Sequence, residues 1–489
     1  MTTPIVKIRM YRQGLGDCFL LTFPRPDGSN FYVLIDCGVV MGGSPDQVVA
    51  AAQDILETTQ KHLNLVVGTH LHWDHISGFC QAREVFDQFK MDDIWLPWTE
   101  NLATRAGQQL AAARSAQISA LRNAVAQMTS VGMSDTRDTV QTVLDFFGPD
   151  PGSGGGLAAK GGACSTDSAM DYLRNRPEAN KHYCTPATEP IHTLENVPGV
   201  QIYVLGPPTK TSFLGKLNPS KAHPETYHDQ PGMTAAAASD SFLAAASAAD
   251  DPNFVDMKEL TAPFDASLRI PLEEAQNDDF FREFYFGPDV PPNEVTVDTH
   301  QWRRIDSDWL NVTSELALNL DNAVNNTSLV LAIELGDPGS GKVLVFAADA
   351  QVGNWLSWGE LNWTVNPPGQ PPKTIHSKDL LKRAVFYKVG HHGSHNATLA
   401  AQGLDLMTSD DLVAMIPVDH SMAVKKRWPG MPYSPMIEVL KEKTRGRILR
   451  IDDAQPPRAK PDTITNEDWQ VFTSNLVETE LYLELTISG

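Results

Sequence analysis

Thr69-His70-Leu71-His72-Trp73-Asp74-His75 decides the reading of this chain. It follows a strand-like run, Leu65-Val66-Val67-Gly68, and leads into a helical stretch from Ile76 to Phe89. In extended backbone alternate side chains share a face, so His70 and His72 point the same way. Asp74 and His75 fall on the turn into the helix and offer a second pair of donors to a neighbouring point. Imidazole nitrogens with a carboxylate are a donor set for zinc, manganese or iron. Four such residues in six positions suggest two metal ions sharing one water, whose pKa the pair would lower. The plain alternative is a turn that is His-rich by chance. With 14 histidines in 489 residues, an H-x-H-x-D-H pattern is too specific for that to be preferred.

Outward from the cluster, the N-terminal side reads as a β-meander. Residues 5–11 alternate as a strand does, Gly14-Leu15-Gly16-Asp17 is a turn, and Cys18–Phe23 and Phe31–Asp36 are strands around Pro26-Asp27-Gly28. Pro45–His62 has helical spacing and Asp93–Leu96 is a short strand. The pattern then degrades. Residues 101–146 hold Ala-, Gln- and Ser-rich helical pieces, 148–165 a Gly-rich loop, and 209–300 irregular sequence, Ala/Ser-rich over 234–250. Val200–Leu205 stands out as a strand closed by Gly206-Pro207-Pro208. Regular pattern resumes with a helix from Trp309 to about Leu320. Strands follow at 328–335, 343–347, 386–389, 412–417 and 447–451, with a helix at 434–443 and a last strand at 478–487. The expected fold class is α/β, one core in two halves, 1–98 and 305–489. The intervening 99–304 is an inserted lid or helical region that returns a core strand near 200–208.

Hydrophobic residues make up 42% and charged residues 20%, which suits a globular chain. The net charge of −21 repels polyanions at long range and argues against a nonspecific grip on long nucleic acid. Cys18, Cys37, Cys80, Cys164 and Cys184 are widely spaced with no CxxC pair, so reduced, buried thiols are expected. The N-terminus lacks the apolar run of a secretory signal, and no 18-residue apolar stretch occurs. A cytoplasmic protein with no membrane partner is expected.

The metal cluster and its surroundings resemble the metallo-β-lactamase superfamily, with Leu34-Ile35-Asp36-Cys37-Gly38 as a further matching piece. More narrowly, the chain is similar to the ComEC/Rec2-like branch. That similarity rests on Gly14-Leu15-Gly16-Asp17-Cys18-Phe19, Asn325-Asn326-Thr327-Ser328-Leu329-Val330, Ala348-Asp349-Ala350 and Lys388-Val389-Gly390-His391-His392-Gly393-Ser394, in the family's order. It covers roughly 5–98, 200–208 and 325–455. The resemblance implies a metallo-β-lactamase αββα sandwich, with a long inserted middle region in this chain. It implies two divalent metal ions, Zn or Mn, held by His70, His72, Asp74, His75, Asp349 and His391. Asp349 matches the bridging aspartate, although Ala348 stands where the family has Gly. His391 is favoured over His392 as the last ligand, which leaves His392, or His395, to protonate a leaving group. Asp36 matches a carboxylate that orients a ligand histidine. A histidine common in the superfamily, some twenty residues before Asp349, is missing, and Asn326 and Ser328 occupy that stretch. Either of them could contact the activated water, a phosphate oxygen or a weakly held metal. Tyr433-Ser434-Pro435 stands where the branch often has His-Pro.

The function that follows is a hydrolase using a metal-bound hydroxide, with Asp74, His392 and Asn326 as the catalytic candidates. A phosphodiester in a small molecule or a nucleic acid is the favoured substrate. A lactone, β-lactam or other carbonyl is the alternative, and a non-catalytic binding protein on the same fold is a further one. The intact cluster argues against the last. A redox di-iron role is disfavoured because no glutamate replaces a histidine of the cluster. His182, His192, His223, His228 and His300 are other candidate ligands, each isolated and more simply read as a surface or structural residue. Arg303, Arg304, Lys388, Lys425, Lys426 and Arg427 are candidate phosphate contacts or plain surface charge. The inserted region could also serve as an oligomer contact.

Overall fold

The computed structural model describes residues 5–130, 133–149, 158–159, 162–186, 190–217, 219–220, 225–226, 270–286, 310, 312–453 and 458–489. Two mixed sheets carry the architecture. The first contains β1 (Ile5–Tyr11), β2 (Cys18–Pro24), β3 (Asn30–Cys37), β4 (His62–Val67), β5 (Lys90–Pro97) and β6 (Asn180–Cys184). The second contains β7 (His192–Thr193), β8 (Val200–Gly206), β9 (Val330–Leu335), β10 (Lys342–Phe346), β11 (Ala384–Lys388), β12 (Val413–Ile416) and β13 (Ile448–Arg450). The last strands, β14 (Leu476–Glu478) and β15 (Tyr482–Ser488), return to the first sheet beside β1. The spatial orders are β14-β15-β1-β2-β3-β4-β5-β6 and β13-β12-β11-β10-β9-β8-β7.

Both sheets change direction in the same way. The first is antiparallel from β14 to β3 and parallel from β3 to β6. The second is antiparallel from β7 to β10 and parallel from β10 to β13. Phe19, Leu21, Val33, Ile35, Leu65 and Val67 of the first sheet share one apolar core with Val204, Leu331, Ile333, Leu344, Phe346 and Phe386 of the second. Alternate residues face away from it, as strand geometry requires. Leu20, Leu34 and Val66 pack instead against helix α1 (Pro45–Thr58) and the helix Thr166–Arg174. In α1, Val48, Ala51, Ala52, Ile55 and Leu56 are buried at helical spacing, behind a proline in the first turn. On the second sheet, Tyr203 meets Trp363 and Tyr387 meets Trp355.

The chain divides into two compact units, Met1–Gln109 with Asp145–Gly232 and Asn322–Gly489, and Leu110–Leu144 with Met233–Asp321. The region 99–304, expected as an insertion that returns a core strand near 200–208, falls across both units. Its stretch 145–232 belongs to the sheet-bearing unit and supplies β6, β7, β8 and the helix Thr166–Arg174. The second unit is helical in its described residues, with most of α2 (Arg105–Ser130), all of α3 (Ser134–Leu144) and the turns Leu272–Asn277 and Asp279–Phe281. The expectation of free thiols throughout is corrected. Cys80 and Cys164 form a disulfide, brought together as the turn Gly78–Gln81 packs on the helix Thr166–Arg174, while Cys18, Cys37 and Cys184 are free and buried. Their sequence separation of 84 hides that proximity. No helix of the described residues is long and apolar enough to cross a membrane.

Candidate metal centre

The centre forms where strands β3, β4, β10 and β11 end. These are the strands at which each sheet switches from antiparallel to parallel pairing, a place where α/β sheets open a crevice. Left-handed backbone turns the side chains inward there, with φ of 55° at Asp36, 47° at Ala348, 42° at His391 and 51° at His392. Such values are costly for non-glycine residues and cluster at functional sites.

Asp36 organises the first half. Its Oδ1 accepts the Thr69 backbone N–H at 2.8 Å, and its Oδ2 accepts the Thr69 hydroxyl at 2.6 Å and His75 Nδ1–H at 2.7 Å. This fixes the His75 tautomer and leaves Nε2 as the donor atom, 3.1 Å from Asp349 Oδ2. His70 Nε2 and His72 Nδ1 lie 3.1 Å apart, with His70 Nδ1 at 3.1 Å from Thr69 Oγ1. The Thr69 carbonyl accepts the Leu329 N–H at 2.8 Å, which stitches the metal loop to the second half of the chain.

The second half answers with Asp349, Lys388 and the two adjacent histidines. Ser328 Oγ accepts the Asp349 backbone N–H at 3.3 Å. Asp349 Oδ1 accepts the His391 N–H at 3.1 Å and Lys388 Nζ at 3.2 Å. His392 donates Nδ1–H to the Pro417 carbonyl at 2.9 Å and directs Nε2 at Asp74 Oδ2, 2.8 Å away. Gln351 Nε2 donates to His391 Nδ1 at 3.3 Å.

Asp17, His75, Asp349 and His392 each offer a ligand atom within 4.8 Å of the others, and all four are buried. Among buried atoms, Asp17 Oδ1 and Asp74 Oδ1 have no hydrogen-bond partner, and His75 Nε2 and Asp349 Oδ2 have only each other, 3.1 Å apart. Native proteins seldom leave buried polar atoms unsatisfied, so these donors fit a bound cation.

The electrostatics reflect the excess of carboxylates in the centre. Burial opposes charge on His75, but Asp349, Asp17 and Asp36 outweigh it and hold its pKa well above the usual value. His392 is raised against burial by Asp349 and Asp74. Burial drives His70 well below the usual value, His72 to about 3 and His391 to about 4. Asp349 is held well below the carboxylate range by His75, Lys388 and His392, in spite of burial. Burial raises Asp36.

The structure thus brings together His70, His72, Asp74, His75, Asp349 and His392. It differs from the sequence expectation at three points. His392, not His391, stands with the ligand atoms, and His391, 6% exposed, sits against Gln351. Asn326 is committed elsewhere. Its Nδ2 donates to the Phe213 and Leu214 carbonyls at 2.8 and 2.7 Å, and its Oδ1 accepts the Asn354 N–H at 2.7 Å, leaving no donor for a reacting group. Lys388 is fully engaged inside the protein rather than open to a phosphate, its Nζ meeting Asp17, Asp349 and the Ala348 carbonyl.

His182 and His192 lie ring to ring at 5.2 Å against Trp95, outside the cluster. Lys426 pairs with Asp145 at 2.5 Å. His223, His228, His300, Arg303 and Arg304 lie outside the described residues.

Sequence reasoning gave Asp17 no site role, reading Gly14-Leu15-Gly16-Asp17 as a turn and as part of the resembling motif. The signal was there, since a carboxylate directly before the buried strand β2 needs a partner. The turn itself is explained by crowding. A Cβ on Gly16 would stand 2.5 Å from the Gly38 carbonyl oxygen and 2.6 Å from that of Asp74. Also missed were Phe146 and Phe147, whose rings stand 5.4 and 5.0 Å from His72. Phe146 also stacks on Trp428 at 4.8 Å. No family model matches the sequence, and no curated protein matches it.

Proposed function

We propose that the chain is a metal-dependent hydrolase of metallo-β-lactamase type, an αββα sandwich holding two divalent ions, zinc or manganese, and cleaving a phosphodiester. One observation carries this reading. Ligand atoms of Asp17, His75, Asp349 and His392 converge from both halves of the chain in a buried centre, with Asp17 Oδ1 and Asp74 Oδ1 left unsatisfied. The matching strand-direction pattern of the two sheets and the shared core between them support the sandwich. The order of the ComEC/Rec2-like motifs supports the phosphodiester.

Charge supports two ions rather than one. Four buried carboxylates, Asp17, Asp36, Asp74 and Asp349, lie in the centre with the buried lysine Lys388, which pairs with Asp17 and Asp349. One divalent ion would leave net negative charge in a buried space, which is costly. Bound there, divalent ions would supply a water acidic enough to ionise near neutral pH and positive charge to offset that of the attacked group. The chain's own residues do the rest. Asp36 fixes the His75 tautomer, Pro417 fixes that of His392, and Ser328 holds the Asp349 backbone. His391, 6% exposed against 0% for His392 and outside the four-residue group, is the histidine left for proton transfer. The net charge of −21 favours a small phosphodiester over a long polymer.

Metal analysis of the gently purified chain is expected to find about two transition-metal ions per molecule, the number a paired-metal hydrolase uses. Hydrolysis of bis(p-nitrophenyl) phosphate or a cyclic dinucleotide is expected with Zn²⁺ or Mn²⁺. Asp74→Ala is expected to abolish it with the fold retained. Less than one ion per chain would remove the metal reading. Turnover of a lactone alone would replace the phosphodiester with a carbonyl substrate.

A further inference from the structure

Lys388 has three N–H donors and uses all of them inside the centre. Nζ lies 2.5 Å from Asp17 Oδ2, 3.2 Å from Asp349 Oδ1 and 2.9 Å from the Ala348 carbonyl oxygen. The side chain is 1% exposed, as are its partners to within a percent. Each carboxylate gives one oxygen to the ammonium and keeps the other clear of it. Asp17 Oδ1 has no hydrogen-bond partner, and Asp349 Oδ2 faces His75 Nε2 at 3.1 Å. Both residues belong to the group that also contains His75 and His392.

We propose that Lys388 is a positioning residue that makes Asp17 and Asp349 one-oxygen ligands of the metal centre and makes Asp17 a ligand in its own right. The proposal rests on the metal reading given above and adds Lys388 to it. A carboxylate with both oxygens bare closes on a cation through either or both of them. Tying one oxygen to a fixed ammonium leaves a single direction of approach. The same ammonium offsets part of the carboxylate charge, so the ligand set stays assembled before an ion arrives. The His391 N–H on Asp349 Oδ1 reinforces the choice of oxygen on that side.

The test uses the full chain, stripped of metal and titrated with Co²⁺, whose visible spectrum reports coordination number and geometry. Lys388→Met is expected to weaken Co²⁺ binding about tenfold or more, as loss of residues that orient ligands does. Its visible band is expected to shift and lose intensity as freed carboxylate oxygens close on the ion. Lys388→Gln, which keeps N–H donors in place, is expected to fall between the two, and it decides the matter where the Met variant does not fold. Wild-type band shape with binding within about twofold in either folded variant would reduce Lys388 to a structural ion pair and overturn the proposal. A wild-type protein that takes up no Co²⁺ would overturn the metal reading itself, and this inference with it.

Discussion

Asp36 accepts three hydrogen bonds on two oxygens and touches no other carboxylate's partner except His75. Replacing it with Asn removes one acceptor and introduces an amide donor facing His75 Nδ1–H on the Oδ2 side or the Thr69 backbone N–H on the Oδ1 side. The first clash frees the His75 tautomer, and the second loosens the Thr69 backbone that carries the loop. Asp36→Asn is expected to weaken metal binding about 10- to 100-fold while the chain still folds, measured by chelator competition on the folded variant. Unchanged affinity would show that His75 keeps its orientation without Asp36. At this scale the contiguous donors were legible, because His70, His72, Asp74 and His75 lie within six positions and strand alternation alone aligns two of them. Asp349 was legible only through the resemblance, since a lone Asp after a strand is an ordinary turn residue. The His391/His392 choice was not legible. Both residues adopt left-handed backbone, and which ring turns inward depends on Pro417 and Gln351, far away or on another element.

At the scale of elements, the centre depends on how closely β3 and the metal loop approach. Gly38 follows β3, its N–H donates to the Asp17 carbonyl at 2.9 Å, and Asp17 N–H donates to the Asp74 carbonyl at 2.9 Å. A Cβ on Gly38 would stand 2.4 Å from the Asp74 carbonyl carbon and 2.5 Å from the His75 nitrogen. Backbone cannot yield as a flexible side chain would. Gly38→Ala is expected to displace the loop that carries Asp74 and His75 and to cost about 1–3 kcal/mol, the usual penalty of overpacking. Calorimetry and metal titration check it, and wild-type values in both would show that the loop accommodates the methyl group. The strands of the two sheets were mostly readable because they are apolar, β-branched runs bounded by turns. β6 (Asn180–Cys184) was not, since Asn-Lys-His-Tyr-Cys carries no alternation and sits at a sheet edge. The helix Thr166–Arg174 was hidden behind the Gly-rich stretch that precedes it, although Ser165 and Ser168 form a capping box at its start.

For the whole molecule, the centre sets how stability responds to pH once metal is removed. His70, His72 and His391 have depressed folded values, about 3 for His72 and about 4 for His391, chiefly through burial. An unfolded histidine titrates near about 6.5. Their contribution is therefore present above that value and lost as pH falls towards the folded one, each by up to about 1.4 kcal/mol per pH unit. His75 and His392 run the other way. Their folded values are raised, so their contribution is full below about 6.5 and lost as pH rises through the folded value. Asp36, raised by burial, offsets part of the acid-side loss. The urea midpoint of the chelator-treated protein is expected to peak near about pH 6.5 and to fall on both sides. A flat profile between about pH 5 and 8 would show that these groups keep ordinary values.

The contact between Asp74 and His392 spans 318 residues of sequence. At about 5–20 residues per second, a ribosome needs roughly 15–60 s to travel from one to the other. Throughout that interval the His70–His75 loop is already outside with its imidazoles uncommitted, and the groups that complete the centre do not yet exist. A nascent chain of this kind meets whatever cations its surroundings offer before it can choose among them. If the centre holds a metal, its identity would then depend on how readily an early ion is released when Asp349 and His392 arrive.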